Sequence, residues 1–224
     1  RFTDQVAYEM APTGNPCRRP LEWLRTRYRP NDLGQSLGDP LALLPLGVLQ
    51  SMALPGESYK LAFTPNLITQ VYGDRVTDSM LQDEGRYVHS EGDDNWWIRA
   101  GRIFLSPNTD DTAAAELQYA REHFFLPHRF RDPFHTDSMN TESVVTYDRY
   151  DLLVLDTRDA LRNRVTAGER SEDGSVVTST IDYRVLQPRL MTDPNGNRVA
   201  VAFDTLGLVA GTAVMGKPSE NLGD

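Results

Sequence analysis

Cysteine is almost missing from this sequence: Cys17 stands alone among 224 residues. A disulfide within the chain is therefore excluded, and so is a cysteine-built zinc knuckle. Cys17 sits in a proline-flanked loop and reads as a small loop residue. Long apolar runs are missing too. No stretch approaches the roughly 18 apolar residues that a membrane-spanning helix needs. Positive charge is in deficit, with 23 basic against 32 acidic residues and a net charge of -9. Such a chain repels phosphate backbones unless a local basic patch compensates. The one dense candidate, Arg18, Arg19, Arg25, Arg27 and Arg29 with Trp23 and Tyr28, alternates in the manner of a strand edge. We read it as a strand, which leaves no nucleic-acid partner. Histidine is sparse, and His89, His123, His128 and His135 lack the ordered cysteine or carboxylate neighbours of a metal site. No nucleophile elbow, phosphate loop or glycine-rich dinucleotide signature is present, so neither cofactor nor metal is expected. Gly207, Gly211 and Gly216 fall in and around a strand rather than a strand-turn-helix.

What remains is an ordinary globular composition, 39% apolar and 25% charged, long enough to bury a core covering about 70% of the unfolded surface. Strand-like alternation marks Phe2–Tyr8 and Leu21–Tyr28, with an irregular connection from Asn31 to Pro45. Pro55-Gly56 predicts a turn before a short strand at Tyr59–Phe63. Thr64, Pro65 and Gly73 are placed to cap, start and stop a helix near 65–72. A second short helix is expected near 77–84 and a third near 112–125. The third has an apolar stripe of Ala113, Leu117, Ala120 and Phe124, and predicts Glu116 and Glu122 in solvent. Pro127 should end it. From Val144 onward the texture becomes strand and turn: Val144–Tyr147, Leu152–Leu155, Ser175–Tyr183, Val199–Phe203 and Leu208–Val214. Asp173-Gly174 and Asn195-Gly196 read as two-residue hairpin turns with glycine at positive φ. The fold class is mainly β with a few short helices. The organisation is a β-rich segment over 1–143 with a helical insert in the middle third, followed by strands over 144–224. Arg1 at the start and the polar stretch Ser219–Asp224 at the end read as cuts inside a longer polypeptide, with no signal peptide in view.

One acidic loop, Glu91 to Asn95, stands beside Trp96 and Trp97. Carboxylates beside aromatics, here Asp93 and Asp94, suit a sugar-binding or glycoside-cleaving site. A solvated acidic loop next to core tryptophans accounts for them better. Asp193, Asn195 and Asn197 resemble part of a calcium loop but lack its closing glutamate, and turn chemistry accounts for them better.

A faint repeat runs through the last third. Asp159, Asn163, Arg164 and Val165 recur as Asp193, Asn197, Arg198 and Val199, an offset of 34 positions. Each copy is a turn followed by a strand start. The first has Leu161-Arg162 where the second has Asn195-Gly196, which predicts a turn of another type. An aromatic-aspartate pair recurs as Tyr147-Asp148 and Phe203-Asp204, the latter followed by Leu206-Gly207. Aspartate can bond turn amides and glycine supplies the positive torsion. Such units bury their faces only by stacking.

The run from Thr192 to Arg198, with Phe203-Asp204-Thr205-Leu206-Gly207, resembles a Rhs/YD repeat. The wider chain resembles the B-type subunit of bacterial insecticidal toxin complexes. The likeness lies in Ala53–Phe63, Asp83–His89, Trp96-Trp97, Phe124–Phe134 and Tyr183–Pro188. That resemblance implies antiparallel strands of a hollow, spiralling β-shell, with no catalytic residue in this stretch. The implied task is to help enclose and deliver a toxic effector as part of a secreted, extracellular virulence complex. The implied partners are the remaining shell and propeller of the same polypeptide, a C-type subunit with its enclosed effector and, indirectly, a channel-forming A subunit. Direct membrane contact is not implied.

Overall fold

The computed structural model describes residues 5–11, 14, 16–90, 92–171, 177–218 and 220. It is mainly β, with antiparallel pairing and few, short helices. Two compact units divide it.

The first unit carries a four-stranded sheet of β1 (Leu24–Tyr28), β2 (Pro55–Phe63), β3 (Val88–His89) and β4 (Trp96–Arg99), in the order β1-β2-β4-β3. Its core gathers Leu33, Leu54, Tyr59, Leu81, Trp96 and Trp97. β2 begins at Pro55 rather than after it, so Pro55-Gly56 is strand and not the expected turn. Glycine stands there for closeness: a Cβ on Gly56 would lie 2.3 Å from Leu43 Cδ2. The expected strand at Phe2–Tyr8 is reduced, among the described residues, to one bridge from Gln5 to Arg18. Helix α1 (Pro65–Val71) follows β2, with the Leu67 amide donating to Thr64 Oγ1 at 3.1 Å and proline in the first turn. Met80–Glu84 forms a wide π-type turn, closed by the Gly85 amide on the Met80 carbonyl at 2.9 Å.

Helix α2 (Ala113–Glu122) buries Ala113, Glu116, Leu117 and Ala120. The inward stripe thus keeps to i, i+3, i+4 and i+7 but runs through Glu116, not Phe124. Glu116, expected in solvent, is 4% exposed and accepts the Leu105 amide at 2.7 Å. Phe124, expected inside, is 72% exposed. It lies beyond the helix end, where Phe124 and Phe125 both take left-handed torsions with φ 55°.

The second unit is built on a larger sheet. Its strands are β5 (Arg102–Phe104), β6 (Arg129–Arg131), β7 (Glu142–Tyr147), β8 (Val154–Arg158) and β9 (Arg164–Thr166). Two hairpins then leave the sheet: β10 (Gly168–Arg170) with β11 (Val177–Ser179), and β12 (Ile181–Asp182) with β13 (Gln187–Pro188). The chain returns as β14 (Leu190–Thr192), β15 (Arg198–Phe203) and β16 (Val209–Met215), giving the order β16-β15-β14-β9-β8-β7-β6-β5. Asp156, Thr166 and Thr192 are buried on one face, with Thr192 Oγ1 donating to the Gly168 carbonyl of β10 at 2.7 Å. The cross-strand row Met191, Val199, Val214 lies on the other face and stays exposed. Asp173-Gly174 and part of the expected Ser175–Tyr183 strand lie outside the described residues.

Candidate functional site

Four connections of the large sheet share one construction, and aspartate opens each of them. In the turn at Asp193 the Gly196 amide donates to the Asp193 carbonyl at 3.1 Å, and the Asp193 amide donates to the Asn197 carbonyl at 2.9 Å. The carboxylate then accepts the Asn197 amide at 2.8 Å and the Asn197 side-chain amide at 3.0 Å. Gly196 has φ 89°, the positive torsion expected of it. The turn is nevertheless wider than the two-residue hairpin the sequence suggests. Pro194 and Asn195 form its exposed tip, and a left-handed residue re-aims the chain into β15.

The turn at Asp159 repeats these bonds. Arg162 donates to the Asp159 carbonyl at 3.0 Å, Asp159 to the Asn163 carbonyl at 3.0 Å, and Asn163 donates twice to the carboxylate at 2.8 Å. Arg162 takes the left-handed slot at φ 69°. The expectation of a different turn type is therefore corrected: the hydrogen bonds hold the torsion that glycine adopts freely. Asp204 does the same with Gly207 at φ 85°, accepting the Leu206 and Leu208 amides at 2.8 and 2.9 Å. Asp148 accepts the Leu152 and Leu153 amides at 2.7 and 3.0 Å, with Asp151 in the left-handed slot at φ 57°. Asp182 opens a longer variant, where its carboxylate takes Arg184 at 2.7 Å and Arg189 at 2.6 Å.

The electrostatics follow from these donors. The Asn163 side chain, then backbone amides, hold Asp159 below the usual carboxylate range. Asn197 does so for Asp193. Arg184 and Arg189 push Asp182 far below it. Burial works upward on Asp148, but the Leu153 amide, the Tyr183 hydroxyl and the Leu152 amide outweigh it. These carboxylates are acceptors fixed in the ionised state, which suits turn closure and not proton transfer.

The other repeat residues make contacts close to the same sheet. Tyr147 donates its hydroxyl to the Pro127 carbonyl at 3.0 Å. Arg164 pairs with Asp156 at 3.2 Å, and Arg198 bonds the Gly216 carbonyl at 3.2 Å. Phe203 is half-buried at the end of β15. Sequence reasoning missed Asp182, whose turn, like that at Asp148, carries neither glycine nor asparagine and whose aspartate follows no aromatic. It also missed Arg25 as the partner of Asp93.

In the first unit the tryptophans are not a platform. Trp97 is 0% and Trp96 4% exposed. The Arg25 guanidinium lies 4.0 Å from the Trp97 ring and 4.8 Å from Trp23, and pairs with Asp93 at 2.5 Å. Asp93 also accepts the Trp97 indole N–H at 3.0 Å. Its pKa is lowered: burial acts upward, but Trp97, Asn95 and Arg25 prevail. A sugar ring would have no face of Trp96 or Trp97 to stack on, and Asp93 is already occupied. Asp94 is exposed, and Glu91 lies outside the described residues.

No protein-family description matches the chain, and neither does any curated protein. Solved structures do. Over 86% of its length the chain is similar to part of a Photorhabdus luminescens Tc holotoxin pore, with a TM-score of 0.54 and 18% identity. A TcdB2–TccC3 complex lacking the hypervariable C-terminal region matches over 85%, with a TM-score of 0.52 and 18% identity. A TcdB2–TccC3–Cdc42 complex matches with a TM-score of 0.54 and 17% identity. The chain spans about 8% of the length of the chains it matches. The fold is thus of the class that builds part of these toxin-complex chains.

Proposed function

We propose that this chain is a shell segment of the B-type subunit of a secreted insecticidal toxin complex, and that it works by strand pairing rather than by catalysis. Its task is to help enclose and deliver a toxic effector held by a C-type partner. The observation that carries this reading is the large sheet of aspartate-closed turns, within a fold that overlays on Tc toxin chains for 86% of the sequence. The terminal strand adds support. β16, Val-Ala-Gly-Thr-Ala-Val-Met, holds no charge and no proline, the devices that keep a sheet edge from pairing. Among the described residues its outer edge has no partner strand. That edge suits a further strand of the same polypeptide or of a C-type subunit.

The test is hydrogen exchange on the full chain, alone and with a C-type subunit. The amides of Val209–Met215 that point away from β15 are expected to exchange freely alone and to gain protection in the mixture. Turnover of esters, glycosides and phosphoesters should stay at background. A monomer whose β16 is fully protected, with a defined catalytic rate, would overturn the reading in favour of an enzyme.

A further inference from the structure

The most unusual titratable group in the large-sheet unit is His128, at the junction of α2 and β6. It is 4% exposed, and its Nε2 has no hydrogen-bond partner. Its ring is boxed by aromatics from two elements. Tyr119 of α2 meets it edge-on at 5.2 Å, and Tyr147 of β7 does so at 5.1 Å. The His123 ring lies 6.3 Å away and stacks on Tyr119 at 4.0 Å. His123 Nδ1 reaches Asp151 Oδ2 at 2.8 Å, and Asp151 occupies the left-handed slot of the turn that Asp148 closes. The cluster therefore ties the end of α2 to the turn between β7 and β8.

We propose that Tyr119, His123, His128, Tyr147 and Asp151 form an acid-sensitive latch, closed while His128 is neutral and opened when it takes up a proton. The titratable groups facing His128 are Tyr119 from α2, His123 just after that helix, Tyr147 from β7 and Asp151 from the turn. Asp151 is the one carboxylate in this set, and His123 holds it. A proton on His128 would place a charge in an apolar box beside His123, with no acceptor at Nε2. Burial, with His123 adding to it, lowers the pKa of His128 against smaller opposing pulls from the Val145 backbone and Asp151. The neutral ring is thus the form that the folded state prefers. The latch's contribution is present above the ordinary histidine value of about 6.5 and drains away as pH falls below it. Opening would release Asp151 and slacken the Asp148 turn, whose carboxylate also holds the Tyr183 hydroxyl at 2.7 Å.

The experiment is amide exchange on the full chain from pH 7.5 to pH 5, corrected for intrinsic rates, with a histidine NMR titration of the same sample. Exchange over 119–128 and 145–153 should accelerate about tenfold for each unit by which His128 titrates below an unfolded histidine. β15 and β16 should not follow. His128→Phe fills the box without a titratable nitrogen and should abolish the response. The proposal is overturned if the corrected exchange changes by less than about twofold, or if His128→Phe responds as the parent does. Should that variant not fold, the titration of the parent decides: a His128 midpoint above about 6.5 means that acid tightens the cluster, and the latch is wrong.

Discussion

Gly196 and Gly207 occupy the same slot in two turns, with φ 89° and 85°, yet replacing them should not cost the same. A Cβ on Gly196 meets nothing closer than Lys217 Cγ at 3.5 Å, an ordinary contact. A Cβ on Gly207 would lie 2.5 Å from Val185 Cγ1. Gly196→Ala therefore carries the torsional penalty alone, about 1 kcal/mol. Gly207→Ala adds a displaced β-branched side chain, a further ~1–2 kcal/mol. Urea unfolding should be followed by far-UV circular dichroism, because Trp23, Trp96 and Trp97 all lie in the first unit and report only on it. The cycle is closed with Val185→Ala, in whose background Gly207→Ala should fall back to about 1 kcal/mol. Equal losses at the two glycines, or a Gly207 loss untouched by Val185→Ala, would refute the steric argument.

Arg162→Gly should raise stability by up to about 1 kcal/mol, because an exposed arginine gives up a left-handed torsion; Arg162→Ala should not, and thermal melts separate the two. Asp148, Asp159, Asp182 and Asp193 all have lowered pKa values in the fold. Their contribution is complete above the unfolded aspartate value of about 3.9 and is lost as pH drops through the lower folded values. Urea midpoints should fall between pH 5 and pH 3, less steeply in Asp193→Asn. Glu116→Ala strands the buried Leu105 amide and should cost about 1–3 kcal/mol, whereas Phe124→Ala should cost less than about 0.5 kcal/mol by the same melts. Asp93→Ala removes the acceptor of the buried Trp97 indole N–H and should cost about 1–3 kcal/mol, read from tryptophan fluorescence during urea unfolding.

The β-rich texture was legible because strand alternation and turn residues are local. α1 was legible for the same reason, since Thr64 and Pro65 carry their meaning in two adjacent letters. The Asp193 turn was visible through Gly196, but its width depends on a side chain bonding four residues ahead. Arg162 hid the type of the Asp159 turn, because the torsion there is imposed by hydrogen bonds and not by the residue's own preference. Glu116 and Phe124 were exchanged for a different reason. Hydrophobicity assigns faces on average, whereas the Leu105 amide needed an acceptor and α2 ended before Phe124 could turn inward. At Trp96 and Trp97 the letters favour a core but admit a sugar platform. Arg25, about 70 residues away in sequence, decided between them.

Each aspartate-closed turn satisfies its own polar groups within five or six consecutive residues. At Asp159 and Asp204 the closure borrows nothing from a neighbouring hairpin, whereas the Asp148 carboxylate also takes the Tyr183 hydroxyl and the Asp193 carbonyl also takes Arg170. A hairpin can then be duplicated, deleted or exchanged without rewriting the connections on either side, so long as its apolar row keeps register. Length becomes a variable that gene rearrangement can adjust one hairpin at a time, and the sheet widens or narrows in steps of two strands.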